Sequence, residues 1–502
     1  MSQSVQQPFP LIAAIDLGSN SFHLVLAKTA QQGVDIFAHY GEKVQLAAGI
    51  NAQLTLQDDA MQRGFACLSR FAQHTRDLPQ GAVRIVGTSS LRVAHNRQRF
   101  IERAEEILGH PIDIISGREE ARLIYLGVAH SLNDPEKRLV IDIGGGSTEF
   151  IIGQKFATHS RDSLQIGCVS LSQRFFSNGH VTVDNYQLAY TAARLELLEL
   201  ERNVYSSNWQ TTIGASGTIC SVGQALAAAG LSRGEVTRQG VQWLKQRVLE
   251  IADINKIDIP GVTAARSSIL PAGLVIIEAI FDALNITQMT PSNCALREGL
   301  IYDLLDRHQQ RDPRDASIQA LAERTTVDSA HLQKIEQWAQ WALQQVADAW
   351  QLKEQWHSKL LSWAARVHLV GLDIAHYHYQ KHGAYLVEHS DLAGFSRQEQ
   401  KMLALLVRGH RRNIPVEGFQ QLPRGIGQQL LHLCVLLRLA ILLQPFKGSQ
   451  TLPELQLSAK TNQLTLAFPQ HWLANNPLTA ASLQQEAQWL QRSQFSLVIK
   501  MT

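Results

Sequence analysis

One design occurs twice in this chain, and it constrains the fold more than any other feature. Asp16-Leu17-Gly18-Ser19-Asn20-Ser21 follows the apolar run Leu11–Ile15, and Asp142-Ile143-Gly144-Gly145-Gly146-Ser147-Thr148 follows Leu139–Ile141. Each then resumes as a β-rich apolar run, Phe22–Ala27 and Phe150–Ile152, so each reads as strand, tight turn and returning strand. A Walker loop would pass instead from strand to helix and end in Gly-Lys-Ser/Thr, an ending both segments lack. The glycines allow positive φ and close backbone approach, while the Ser, Asn and Thr side chains add donors beside exposed N–H groups. One Asp-x-Gly turn is ordinary turn chemistry. Two imply a pair of related α/β lobes whose first hairpins face each other across a cleft, an arrangement able to clamp a polyphosphate.

Composition narrows the setting. At 502 residues the chain is long enough for three or four domains, with 45% hydrophobic and 18% charged residues. No apolar run approaches the roughly 18 residues of a transmembrane helix. No basic stretch precedes an apolar one at the N-terminus, so a cytoplasmic enzyme is expected, with peripheral attachment to a membrane face left open. Five cysteines (67, 168, 220, 294 and 434) are widely spaced and read as reduced, buried thiols. A net charge of +2 creates no global field, so no nucleic-acid polymer is expected as a partner and any polyanion must be gripped locally.

Periodicity divides the chain into four parts. Residues 1–124 read as a first α/β lobe, with helices at Leu56–Arg76 and Asn96–Leu108 and strands at Val83–Val86 and Ile112–Ile115. Residues 125–310 read as a second, with a helix near Asn185–Tyr205, a strand at Thr211–Gly214, and helices at Ile219–Ala229 and Val241–Asp253. A polar run at Arg307–Asp315 precedes an all-α region, 311–446, in which apolar positions recur at three- and four-residue steps. Residues 447–502 alternate again and form a small α+β end domain.

Ser116 and Glu119 have the spacing of a capping box opening a helix. That explains Glu119 and leaves Glu120, which shares a helix side with Leu123, Ile124 and Gly127. Held among apolar neighbours, its carboxyl would have a raised pKa and accept a proton from water, a contribution of about 10²–10⁴ in rate. A solvated first-turn glutamate is the equal alternative. Asp16, Asp142 and Glu149 adjoin the two turns and suit Mg²⁺, which takes hard oxygen ligands. Arg92 follows the strand Val83–Val86, where cleft residues gather, and can hold a phosphate or simply lie on the surface. Gly214, Ser216 and Gly217 form a third glycine turn, at the start of a helix. Arg408, His410, Arg411 and Arg412 form the densest basic cluster, suited to an extended polyanion or to solvent.

Together these motifs resemble the exopolyphosphatase and guanosine pentaphosphate phosphohydrolase family, over nearly the whole chain. The resemblance rests on Ala14–His23, Ile114–Ile124, Val140–Glu149, Gly214–Thr218 and Ala295–Gly299. It implies a multidomain α/β architecture: two actin-like (ribonuclease H-like) ATPase-superfold lobes, an all-α HD-like domain and the small C-terminal domain. It further implies Glu120 as catalytic base, metal and phosphate roles for Asp142, Glu149 and the glycine turn, a substrate-facing Arg92, and a homodimer. Val367-His368-Leu369-Val370-Gly371 has Leu369 where an HD dyad would place its metal-binding Asp, so this region is expected to be a degenerate HD site. The favoured activity is processive removal of terminal orthophosphate from linear polyphosphate, with Mg²⁺ and with K⁺ stimulation left open. The rivals are hydrolysis of guanosine pentaphosphate to the tetraphosphate, a sugar or acid kinase of the same superfold, and a non-catalytic sensor. The glycine triplet and Arg411-Arg412 tilt the reading toward the polymer.

Overall fold

The computed structural model describes residues 9–30, 33–132, 135–204, 208–308, 312–325, 327–423, 425–443 and 454–501. The expected domain limits at 310/311 and 446/447, and the expected helix end at Tyr205, lie outside the described residues. The chain falls into two compact units, Met1–Asp312 and Pro313–Thr502.

The first unit is built on two sheets with one topology. β1 (Leu11–Leu17), β2 (Ser21–Ala30), β3 (Gly33–Lys43), β4 (Val83–Gly87) and β5 (Asp113–Ile114) are ordered β3-β2-β1-β4-β5. β6 (Lys137–Ile143), β7 (Thr148–Gln154), β8 (Ala157–Leu164), β9 (Thr211–Gly214), β10 (Val236–Thr237) and β11 (Gln288–Pro291) are ordered β10-β11-β9-β6-β7-β8. In each sheet the central strand, β1 or β6, forms a hairpin with its successor and runs parallel to the strand on its other side. Parallel strands must be covered on both faces, and β1, β4 and β6 are correspondingly mostly buried, with Arg84 and Arg138 among their buried residues. Residues 124 and 125, expected to divide the lobes, lie within the helix Gly117–His130, so a helix and not a loop leads from one sheet to the next. Ser116 caps that helix, accepting from the Glu119 N–H at 3.1 Å, while the Glu119 carboxylate is held by Arg122.

The second unit is helical from Pro313 to Leu443 and ends in a three-stranded sheet of β12 (Gln456–Lys460), β13 (Gln463–Phe468) and β14 (Ser496–Met501), with the helix Pro477–Gln491 beside it. One reading of the sequence is corrected here. The helix Ile426–Leu443 is long and apolar enough, by length and composition, to cross a membrane. It is mostly buried within the unit, and Arg438 in its middle is tied to Glu486 and to the Gly409 carbonyl, the behaviour of a core helix. Burying that guanidinium is tolerated because its charge and its N–H groups are both answered.

Candidate functional site between the two hairpins

The two hairpin turns meet. A Cβ placed on Gly145 would lie 3.0 Å from Ser19 Cβ, and one on Gly146 would lie 2.8 Å from Ser89 Oγ and 3.2 Å from Ser19 Oγ. None of Gly18, Gly144, Gly145 and Gly146 has positive φ, so their purpose is space and not backbone conformation. That corrects the sequence reading: close approach, not left-handed geometry, demands glycine here. The turn of the second lobe is fixed from behind by the helix Cys168–Phe175, whose N–H groups at Cys168 and Val169 donate to the carbonyls of Gly144 and Gly145 at 3.0 and 2.9 Å. Because each peptide is planar and trans, those carbonyls send the N–H groups of Gly145 and Gly146 in the opposite sense.

A cavity of about 260 Å³ opens between the turns, and Asp16, Glu120, Asp142 and Glu149 all line it. Strand register places the acids. Asp16 and Asp142 occupy the penultimate positions of β1 and β6, and Asp142 faces Glu149 across the β6–β7 hairpin. Burial and then the neighbouring Glu120 push Asp142 up to about 8. The same causes, with Asp142 added, raise Asp16 and Glu149 well above the ordinary carboxylate range. Asp16 Oδ1 is buried with no protein partner among the described residues.

Glu120 is buried, as its helix side suggested, but its setting is not simply apolar. Arg92 Nη1 donates to Glu120 Oε2 at 2.6 Å and to the Ile115 carbonyl at 3.2 Å, leaving Oε1 without a protein donor among the described residues. Arg92 stands in a short helix, Ser89–Val93, one turn beyond β4. It reaches the cleft through this ion pair.

Other expected residues divide by surroundings. Ser19, Asn20, Ser21, Ser147, Ser216 and Gly217 line the cavity. Thr148 does not; it is fully buried, with its hydroxyl donated to the Ile166 carbonyl at 2.6 Å. Gly214 is a packing residue whose missing Cβ makes room for Ile219 and Met289. Ser216 caps the helix Gly217–Ala228, accepting from the Ile219 N–H at 3.2 Å, and the Arg266 guanidinium lies over Gly217 where any side chain would collide with it.

Sequence reasoning gave no role to several cavity residues: His23, Arg266, Arg297, Cys168 and Cys220. Burial, followed by the charges of Arg297 and Arg266, holds the His23 ring down at about 4, so it lines the site uncharged at neutral pH. His23 and Arg297 stood inside quoted motifs and were readable; Arg266 arrives from a stretch with no motif. The thiols are free, but Cys220 and Cys294 are only partly buried, against the expectation that all five are interior.

In the helical unit Arg408, Arg411 and Arg412 cluster at the end of the helix Arg397–Gly409, but His410 does not join them. It is 3% exposed, with Nδ1 on the Val407 carbonyl and its ring edge-on to His368 at 5.2 Å. Burial holds both rings well below the ordinary histidine value, so His410 is an uncharged core residue and cannot serve as the surface cation expected of it.

Comparison with known proteins agrees with this architecture. The Ppx/GppA phosphatase family model matches residues 24–308, and the model for domain III of the Ppx/GppA phosphatases matches residues 314–487. The chain is 39% identical over 484 residues to the guanosine-5'-triphosphate,3'-diphosphate pyrophosphatase of Vibrio vulnificus, covering 95% of this chain and 96% of that protein. It is 38% identical over 481 residues to the protein of the same name from Photobacterium profundum, covering 95% of each. Among solved structures, an exopolyphosphatase from Cytophaga hutchinsonii matches with a TM-score of 0.54 and 25% identity, over 59% of this chain and 98% of that one. The two sheets are actin-like ATPase-fold lobes, followed by a helical domain III and a small C-terminal sheet. With the paired turns, the shared cleft and both domain models in agreement, the chain belongs to the Ppx/GppA phosphatase family and is a phosphoric anhydride hydrolase.

Proposed function

We propose that this chain hydrolyses guanosine pentaphosphate to the tetraphosphate, releasing the terminal phosphate of the 5′-triphosphate. The observation that carries this is the identity of 39% spread over 96% of a relative bearing that substrate in its name. The named exopolyphosphatase matches only 59% of this chain. The tilt toward polyphosphate drawn from the glycine triplet and Arg411-Arg412 therefore yields to the alternative.

In this reading the terminal phosphoryl group lies between the turns, its oxygens on the Gly145 and Gly146 N–H groups and the side chains of Ser19 and Asn20. Glu120 takes the proton of the attacking water on Oε1, and Arg92 is a positioning residue that fixes the carboxylate through Oε2. The donor set fits a hard divalent cation: buried acids from both lobes repel one another, and Asp16 Oδ1 is unpartnered. Asp16, Asp142 and Glu149 all line the cavity but do not converge as a three-ligand cluster, so one or two of them would hold Mg²⁺, with waters and substrate oxygens completing its shell. When bound, the ion supplies neutralisation of the phosphate oxygens. Cytoplasmic placement and a homodimer complete the proposal; light scattering on the purified chain tests the dimer.

The test is orthophosphate release with Mg²⁺ from guanosine pentaphosphate and from long-chain polyphosphate, for wild type and Glu120→Gln. Preference for the nucleotide is expected, with the variant slower by roughly 10²–10⁴ and still able to bind nucleotide. Preference for the polymer would restore the other substrate, and equal rates for the two proteins would remove Glu120 from the reaction.

A further inference from the structure

The helix Tyr379–His389 in the second unit has two unlike faces. At 3.6 residues per turn, Gln380, Gly383, Ala384 and Val387 share one side, and all four are buried. The opposite arc carries Lys381, His382, Tyr385, Glu388 and His389, with His378 as the N-cap at its start, a stripe about 16 Å long with charged or titratable groups around an aromatic one. Tyr385 is 62% exposed and lies 4.5 Å from the ring of His389. At the stripe's start Tyr377 is 73% exposed and packs on the His378 ring at 4.0 Å.

A second element brings charge to the same place. Arg411 lies 4.7 Å over the Tyr379 ring. The charges of Lys381, Arg412 and Arg408 all bear on the His378 ring, which puts both elements' cations around it. Asp373 and Glu388 are exposed nearby, yet no carboxylate among the described residues forms an ion pair with Lys381, Arg408, Arg411 or Arg412. Packing does not account for two tyrosines this exposed, and ion pairing does not account for four cations this close together.

We propose that this face of the helical unit binds single-stranded nucleic acid. Alternating cations and exposed aromatic rings grip a backbone of phosphates while offering stacking platforms to unpaired bases. A bare polyphosphate chain would use the cations and have no use for Tyr377 and Tyr385. The site is local, so the near-neutral balance of the whole chain does not oppose it. It is also independent of the phosphatase reading, since no group of the cleft takes part.

Fluorescence anisotropy of a fluorescein-labelled 12-nucleotide oligouridylate with the full chain tests it. Wild type is expected to bind, with affinity falling as salt rises. Tyr377→Ala/Tyr385→Ala should weaken binding at least tenfold, in line with stacking worth about 1–3 kcal/mol per base. Lys381→Glu/Arg412→Glu should abolish it, with circular dichroism showing both variants folded. The proposal is overturned if wild type does not bind, if a duplex of equal length binds as tightly, or if the tyrosine variant keeps wild-type affinity. In the last case, binding of inorganic polyphosphate lost only in the charge variant would make this a polyphosphate surface instead.

Discussion

The two hairpin turns descend from one plan and do different work. In the first lobe a single glycine precedes Ser19 and Asn20, and Ser19 Oγ is bonded to Ser90 Oγ at 2.7 Å, so the turn presents side chains held by its own lobe. In the second lobe three glycines present bare backbone, braced from behind by the Cys168 and Val169 N–H groups. The strands dictate the shared part, an acid one residue before each strand ends. The loops dictate the rest. Only a turn stripped of side chains can come within contact of Ser19 and Ser89, so the asymmetry of the turns is what lets the two lobes approach this closely.

The largest effect should come from crowding the bare turn. A Cβ on Gly167 would lie 2.4 Å from the backbone of Gly145 and Gly146, and backbone cannot rotate out of the way. Gly167→Ala is expected to cost about 1–3 kcal/mol in urea unfolding and, by shifting the turn, to slow phosphate release roughly 10²-fold. Gly145→Ala meets Ser19 Cβ, the Asn20 backbone nitrogen and a Val169 methyl at a looser 3.0–3.2 Å and should lose less of both. Equal losses at the two positions would show that the brace behind the turn is immaterial.

Next in size is the effect of pH on the cation-free protein. Asp142 titrates near 3.8 in the unfolded chain and about 8 in the folded one, so between those values the folded state keeps a proton that the unfolded state has lost. Its stabilising contribution is present below 3.8 and is lost as pH rises through 8. In chelator, Tm should therefore fall from about pH 5 to about pH 8.5, Asp142→Asn should flatten the slope, and Mg²⁺ should raise Tm more at the alkaline end. Asp16, also raised, should behave alike. A slope unchanged in Asp142→Asn would break the electrostatic likeness of the two lobes.

How much of this was legible follows from the range of each interaction. β9 spans the residues read as a strand, Thr211–Gly214, and both turns stand where Asp-x-Gly placed them. Helix spacing drew attention to Glu120 and the family resemblance gave it the role of base, but its partner Arg92 lies 28 residues away on another element, and no local pattern encodes that pairing. The short helix Cys168–Phe175 has no periodicity long enough to read, although it braces the turn. Thr148 and His410 look like donors in sequence because their types are polar, and burial reassigns both. Ile426–Leu443 escaped as a continuous apolar run because His432 and Arg438 interrupt it, and the structure pairs the arginine and sinks it in the core.

The smallest expected effect concerns the turn that keeps its side chains. Ser19 is 5% exposed and its hydroxyl shares one hydrogen bond with Ser90, so Ser19→Ala removes a buried neutral bond and leaves the Ser90 hydroxyl in need of a partner. Such a loss costs about 1 kcal/mol. Ser90→Ala should cost a similar amount, and the double variant less than the sum, because the second substitution removes the partner that the first stranded. Their effects on catalysis should separate where their stabilities do not. Ser19 lines the cavity and Ser90 does not, so KM for the nucleotide should rise in Ser19→Ala and stay near wild type in Ser90→Ala. If the two variants raise KM equally, the hydroxyl of the first turn acts as a strut to the helix Ser89–Val93, and the ligand would then be held by backbone from both lobes, which would make the two turns more alike than their sequences.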